Sequence, residues 1–388
     1  MVRFISQEVG IVPEPFKNFF NVAGVKLVAK HLVQHHPALN TAEFVRDASA
    51  NFASQELKER SNAIRNAMVL HLPDSFPELS KILVQSLASD TCEAESFGPG
   101  SDGIHGWYVQ PMADAIAVKG LDDFDRAFPA LAEMTKRFTA EFAVRPFLDQ
   151  DPQRAMAWMA RFARDPNFHV RRLASEGCRP RLPWGMRLRA FVADPSPILP
   201  ILTALRDDPE EYVRRSVANN LNDIAKDHPD LVVEIAAEWM TGADRDRQRL
   251  VRHACRSLIK AGHVGALKAL GYGKARVRVD NLAVHTPNVI LGSALEFGFD
   301  VVSQAKTSQP LVVDYIIHHK KADGTLSPKV FKLKIMDLPG GQTVHVKKRH
   351  PIRPITTRVY YPGHHKVEIV VNGTTLGCSN FQLEFPAG

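Results

Sequence analysis

Along most of the chain, apolar positions recur at helical spacing. Clear instances are residues 25–33, 124–134 and 231–240, where apolar side chains return every third or fourth position and polar ones fill the intervals. Asp-Pro pairs at 151–152, 165–166 and 208–209 punctuate the middle of this region. Each places a capping carboxylate just before a proline suited to a first helical turn. Near residue 272 the pattern changes. Period-two runs rich in β-branched residues predict strands at 275–282, 294–302, 311–318, 330–335, 343–348, 356–360 and 367–371. Turn pairs such as Asp323-Gly324, Gly340-Gly341, Pro362-Gly363 and Asn372-Gly373 separate them. About seven short strands in a segment of this length is the pattern of an immunoglobulin-like sandwich, with Tyr360 or Tyr361 as its candidate tyrosine corner.

The helical part contains a repeat. Residues 165–172, Asp-Pro-Asn-Phe-His-Val-Arg-Arg, return as 208–215, Asp-Pro-Glu-Glu-Tyr-Val-Arg-Arg, 43 residues on; a degraded third copy, 250–254, follows 38 residues later. A second predicted helix precedes each copy, at 152–164, 197–206 and 229–240. Two helices per roughly 40–47 residues is the HEAT-like period, and such units stack into a curved solenoid. Helices before residue 150 are expected to add more divergent units. The expected fold is therefore an all-α HEAT-like α-solenoid over residues 1–272, followed by an all-β immunoglobulin-like sandwich over 273–388, with 271–274 as the hinge.

With 45% hydrophobic and 23% charged residues among 388, the chain is not largely disordered. No run of about 18 uncharged apolar residues is present, which excludes a transmembrane helix, and Glu8 interrupts the stretch an export signal would need. Four cysteines, Cys92, Cys178, Cys255 and Cys378, are too widely spaced for a compact disulfide framework or a C-x₂-C metal site. Reduced thiols in a cytoplasmic protein are expected. From Lys274 onward there are 15 Lys and Arg against 8 Asp and Glu, a surplus equal to the net charge of +7; the preceding residues balance. A basic C-terminal part points to an anionic partner, nucleic acid first.

The most unusual composition lies at 154–189, with nine arginines, no lysine and two acids, Asp165 and Glu176. Arginine without lysine suits bidentate recognition of phosphates. For Arg171 or Arg214 taken singly, the alternative is an ion pair with the aspartate of the preceding turn. Two acids cannot pair all nine. Glu176 corresponds to Asn219 in the next repeat, so the repeat does not itself demand a carboxylate there. The structural alternatives are an i,i+4 pair with Arg172 for Glu176, a solvated face for Asp223, and a pair with Arg137 or Arg145 for Glu141. The loop 179–185 is made rigid by Pro180 and Pro183 and projects Arg179, Arg181 and Trp184; Trp158 is expected in the inter-helix core. Gly98–Gly103 lacks the ending of a phosphate loop. His318-His319 and His364-His365, adjacent on strands, point to opposite faces, so no metal site is expected.

Residues 168–184 resemble the signature of the AlkC-type alkylbase DNA glycosylases, as do 15–20, 135–147 and 212–223. The resemblance spans roughly residues 10–265. It implies a HEAT-like solenoid that removes N3-alkylated bases, notably 3-methyladenine and 3-methylcytosine, from duplex DNA without base flipping. Some members add a C-terminal immunoglobulin-like domain that assists DNA binding. On this resemblance the active-site carboxylates fall on Glu141, Glu176 and Asp223, and the tryptophan on Trp184. Arg171, Arg172, Arg179, Arg181, Arg214 and Arg215 would hold phosphates, and Lys347, Lys348 and Arg349 would grip the duplex from the sandwich. Cys178 stands where the motif often has threonine. A cationic base is already a competent leaving group, so carboxylates need only stabilise an oxocarbenium-like sugar and place a water. No cofactor and no membrane or obligate protein partner is implied; a cytoplasmic, nucleoid-associated bacterial monomer is expected. The rival readings are a non-catalytic DNA-damage-binding solenoid and a protein-scaffolding repeat array.

Overall fold

In a computed structural model, residues 14–89, 98–356 and 358–386 are described; Cys92 lies outside them. Sixteen α-helices among these residues are followed by eight strands, an all-α part and then an immunoglobulin-like one as the sequence predicts. Two compact units divide at Asn220 and Leu221. The helix Phe124–Thr135 shows how the first unit is built. Asp123 caps it by accepting from the Arg126 amide at 3.1 Å. Its apolar face, Phe124, Ala127, Phe128, Leu131 and Met134, is buried. Phe128 meets Phe147 edge-on and stacks on Trp158 at 5.6 Å, so Trp158 does lie against the inter-helix packing.

The three Asp-Pro pairs do not all behave alike. Asp151 caps the helix Pro152–Phe162 as expected. Asp165 and Asp208 instead accept from the amides two residues on, Asn167 and Glu210, at 2.8 and 2.9 Å. These are Asx turns, and they delay the helix starts to Phe168 and Glu211. Asn167 caps the first of those helices.

In the second unit the strands are β1 (Val277–Val284), β2 (Asn288–Ile290), β3 (Ala294–Ser303), β4 (Gln309–Lys320), β5 (Leu326–Leu338), β6 (Thr343–Pro351), β7 (Gly363–Val371) and β8 (Thr374–Glu384). They form a three-stranded sheet, β1-β3-β6, and a five-stranded sheet, β2-β8-β7-β4-β5. Only the β2–β8 pairing is parallel. Alternate residues, among them Leu295, Phe297, Phe299, Val313, Tyr315, Ile317, Val367 and Ile369, fill the core between the sheets. The described residues of the expected strand at 356–360 form none: Ile355 and Arg358 make an isolated bridge. A strand that the sequence pattern did not announce, β8, pairs with β7 along its length. Tyr360 packs edge-on against His319, and the Tyr361 carbonyl is 3.0 Å from His365 Nε2. The segment expected as a hinge is fastened. Tyr272 is buried and bonded to Leu267, and Asn372 Nδ2 donates to the Gly273 carbonyl at 2.8 Å.

Of the cysteines, Cys178 and Cys255 are buried free thiols and Cys378 an exposed one. Burial pushes the Cys178 thiol up to about 12. Among the described residues no helix is long and apolar enough to cross a membrane.

Candidate active site

The helix Phe168–Gly177 presents Val170, Leu173 and Ala174 to the core and turns Arg172 and Glu176 to one polar face. Its last turn runs into the loop that carries Trp184. Glu141, Glu176, Arg179 and Trp184 line one cavity of about 350 Å³, together with Lys58, Trp107, Phe138 and Thr139.

The two glutamates share a cation. Arg172 donates to Glu141 Oε2 and, at 2.6 Å, to Thr139 Oγ1, and its other nitrogen lies 3.5 Å from Glu176 Oε1. Burial pulls the Arg172 guanidinium down, but Glu141 and Glu176 outweigh it and its pKa is raised. The Tyr212 ring lies beneath it at 5.1 Å. Glu176 is held more closely by others. Arg179 donates to Oε1 at 2.5 Å, and Ser216 donates to Oε2 at 2.6 Å. Ser216 also meets Ser175 Oγ at 3.0 Å, and Asn220 Nδ2 donates to the Ser175 carbonyl at 2.8 Å. A short polar chain thus runs from Asn220 through Ser175 and Ser216 to Glu176. Thr139 Oγ1 completes the ring by donating to Glu141 at 2.6 Å. Both carboxylates are fixed in direction by two or more donors, as a preorganised anion requires.

Of the pairings weighed from sequence, the one between Arg172 and Glu176 is present but long. Glu141 pairs with neither alternative: Arg137 is bound to Glu133 and to the Ala88 carbonyl. Arg145, fully buried, donates to the carbonyls of Gly177, Arg179 and Met186. Asp223 is not on a solvated face. It is 2% exposed on the helix Glu211–Ile224 and 2.9 Å from Lys226.

Trp184 is 69% exposed and its backbone has φ of 64°, left-handed and unusual for a large side chain. Lys58 Nζ donates to its carbonyl at 2.7 Å. The turn is closed by Gly185 bonding to Leu182 and Leu188 bonding to Pro180. Trp107 and Lys58 were not identified from sequence, and Arg145 was weighed there only as a partner for Glu141. Trp107 stacks on Phe19 at 5.4 Å and tilts against Phe138 at 5.0 Å; Phe19 and Phe138 lie within two of the four segments that carry the resemblance.

The arginines grouped as phosphate binders have diverse settings. Arg171 grips Asp208 through Nε at 2.6 Å and Nη2 at 3.1 Å, and also donates to the Asp165 and Pro166 carbonyls. Arg214 donates to the Asp208 and Pro209 carbonyls. Both brace the turns that begin the repeat helices. Arg172 and Arg179 orient carboxylates. Arg215 is on the surface beside Glu211 at 2.5 Å, and Arg181 is half-buried. On the edge strand β6, Lys347 and Arg349 point outward, with Arg349 3.2 Å from Glu296 across the pair. Lys348 faces the other way, 5.9 Å from the centre of the Tyr315 ring. His318 meets Glu368 at 3.2 Å on one face of β4, while His319 meets His365 and Tyr360 on the other.

The chain is 33% identical over 369 residues to the uncharacterized protein YhaZ of Bacillus subtilis (strain 168), covering 95% of this chain and 99% of that one. Residues 278–385 match the family described as the C-terminal Ig-like domain of the uncharacterised protein YhaZ. Among solved structures, it is similar to Pseudomonas fluorescens alkylpurine DNA glycosylase AlkC bound to DNA containing an abasic site analog. That match has a TM-score of 0.83 and 36% identity, over 95% of this chain and 99% of the other.

Proposed function

The chain belongs to the family of AlkC and YhaZ, and from that membership we propose that it is a DNA glycosylase hydrolysing the N-glycosidic bond of alkylated bases in duplex DNA. The preferred substrates on this reading are the cationic N3-alkylated bases, 3-methyladenine and 3-methylcytosine. Residues 1–272 would form the HEAT-like glycosylase domain and 273–388 the DNA-binding immunoglobulin-like domain.

The observation that carries the reading is the convergence of Glu141, Glu176 and Trp184 on one cavity. A cationic leaving group needs no general acid, so the barrier lies in the positive charge gathering on the sugar. Fixed carboxylates held by Arg172, Arg179, Thr139 and Ser216 need no reorganisation as that charge appears. Glu141, Glu176 and Asp223 are proposed to share the work of steadying the sugar and the cationic base and of placing water. Trp184, exposed at the mouth, would lie against the lesion and favour a positive ring by cation–π attraction. The base is then read where it lies rather than drawn into a pocket. Arg172 and Arg179 act on this reading through the carboxylates. Among the other basic residues, the outward-facing Arg215, Lys347 and Arg349 are the best placed to meet phosphates.

The test is release of free base from methylated duplex DNA by the wild type, Glu176→Gln and Asp223→Asn. Loss of about two orders of magnitude or more in either variant, with DNA affinity kept, is expected. Tight DNA binding with no base released by the wild type would leave a damage-binding protein instead.

A further inference from the structure

The second unit holds a larger cavity, about 630 Å³, that none of the chemistry above uses. It lies between the helices Arg245–Ala254 and Arg256–Lys260 and the outer face of β4 and β5. Its volume is within the range of pockets that hold small molecules. Three kinds of group line it. Tyr272, Val312, Val330 and Ile335 make an apolar floor. Arg249, Arg252 and Arg256 enter from the helices, and Lys329 and Lys332 from β5, forming a cationic rim. Asp314 supplies a single carboxylate.

Asp314 is the informative residue. The β4–β5 register shifts between Val313 and Asp314, so Asp314 lies opposite Lys332, on the sheet face away from the core residues Val313 and Tyr315. It is 8% exposed, and its carboxylate has no hydrogen-bond partner among the described residues. Burial pushes it up to about 6, against the pull of Lys332. A carboxylate in such a place is costly unless donors arrive from elsewhere. The rim calls for an anion that can take forked guanidinium bonds. The floor calls for a flat apolar body. Inorganic phosphate would satisfy the rim alone, and an apolar ligand the floor alone.

We propose that this cavity is a nucleotide site, with the base on the apolar floor, its N–H edge on Asp314, and the phosphate on Arg249 and Arg252. A base with two adjacent N–H donors, as guanine has, would engage both carboxylate oxygens; uracil, with one, would bind less well. The nucleotide could be free or the unstacked end of a DNA strand. The site stands apart from the glycosylase reading and does not depend on it.

Titration calorimetry on the full chain with GMP, UMP, ribose 5-phosphate and inorganic phosphate tests this. GMP is expected to bind at least about tenfold more tightly than ribose 5-phosphate. GMP is expected to bind more tightly than UMP, and Asp314→Asn should erase that preference while leaving phosphate binding in place. Arg252→Gln should weaken GMP and phosphate alike, and Ile335→Trp, which intrudes on the apolar floor, should weaken GMP while leaving phosphate binding in place. Glu176→Gln should bind GMP as the wild type does, so failure here and failure of the glycosylase reading are separable. Competition by GMP against a duplex with a single-nucleotide guanosine overhang, but not against a blunt duplex, would identify a strand end as an occupant. Competition against neither would restrict the site to free nucleotide. GMP binding no tighter than phosphate, or no binding up to about 1 mM, overturns the proposal. Should Asp314→Asn fail to fold, the wild-type ranking and Ile335→Trp decide.

Discussion

Arg145 offers the sharpest test of how the candidate active site is held. Its guanidinium is fully buried and donates to the carbonyls of Gly177, Arg179 and Met186, at 2.8 Å for each of the first two and 2.8 Å from Nε to the third. Those carbonyls bracket the loop that carries Trp184 and follow directly on Glu176. Arg145→Met keeps much of the side chain's bulk and removes every donor. Gly177 and Arg179 are buried, so their carbonyls lose their partners at about 1–1.5 kcal/mol each, and the more exposed Met186 carbonyl loses less because water replaces the bond. The total is about 3 kcal/mol. For a cooperative unit of about 150–250 residues that lowers the melting temperature by about 6–12 °C. The assay is thermal unfolding by calorimetry, followed by base release at 25 °C, where the variant remains folded. Release is expected to fall at least about tenfold, because loosening a supporting loop misplaces the groups it carries. Arg145→Lys, which retains the charge but not the fork, should fall between the two. A melting temperature within about 2 °C of wild type would refute the reasoning, since three backbone carbonyls cannot lose a buried cation so cheaply.

Other outcomes follow from the same geometry. Arg171→Met leaves Asp208, 6% exposed, without its forked partner, and should destabilise by about 3 kcal/mol or more. Arg215→Met, on the surface, should change stability by less than about 0.5 kcal/mol and weaken DNA binding with a shallower salt dependence; equal effects on unfolding would contradict the division of roles among the arginines. Burial lowers His319 to about 3 and His350 to about 4. Their folded pKa values lie below the unfolded 6.5, so the stability they contribute is complete above about pH 6.5 and is lost as pH falls, toward about 4 for His350 and about 3 for His319. At pH 5 the pair should cost the sandwich about 2–4 kcal/mol, and His319→Phe should flatten the loss; a melting temperature unchanged between pH 7 and pH 5 would contradict this. Lys58→Met removes the donor at the Trp184 carbonyl and should reduce base release several-fold with little effect on melting, which release assays at matched DNA occupancy would detect.

The large divisions of this chain were legible because periodicity reports burial directly. The change from a helical period to a period of two near residue 272 corresponds to the passage from the last helix, Val264–Ala269, to β1. Glu176 and Trp184 stood out because one of only two acids and a proline-stiffened aromatic loop interrupt an arginine-rich segment. Trp107 and Lys58 are 77 residues away from Trp184 or more, and no spacing rule links them to it; only packing brings them to the same cavity. The strand β8 escaped notice because its exposed half is polar, though Phe381 and Leu383, both buried, carry the alternation. The segment 356–360 has the residue types of a strand but no neighbour with which to pair, since β7 finds β4 and β8 instead. The delayed helix starts after Asp165 and Asp208 show two carboxylates closing local turns where capping was the simpler expectation.

The left-handed backbone at Trp184 changes how substitutions there should be read. A chain that needed only that turn would place glycine or asparagine at 184, since a large L-residue with φ of 64° accepts about 1 kcal/mol of strain. Alanine scanning at this position therefore measures the ring against a background that keeps the strain. Trp184→Gly removes the ring and the strain together, so a stable but inactive glycine variant would be no paradox. If the proposed role of the ring holds, both variants lose base release, and their difference in thermal stability then separates what the ring contributes there from what the backbone demands of the fold.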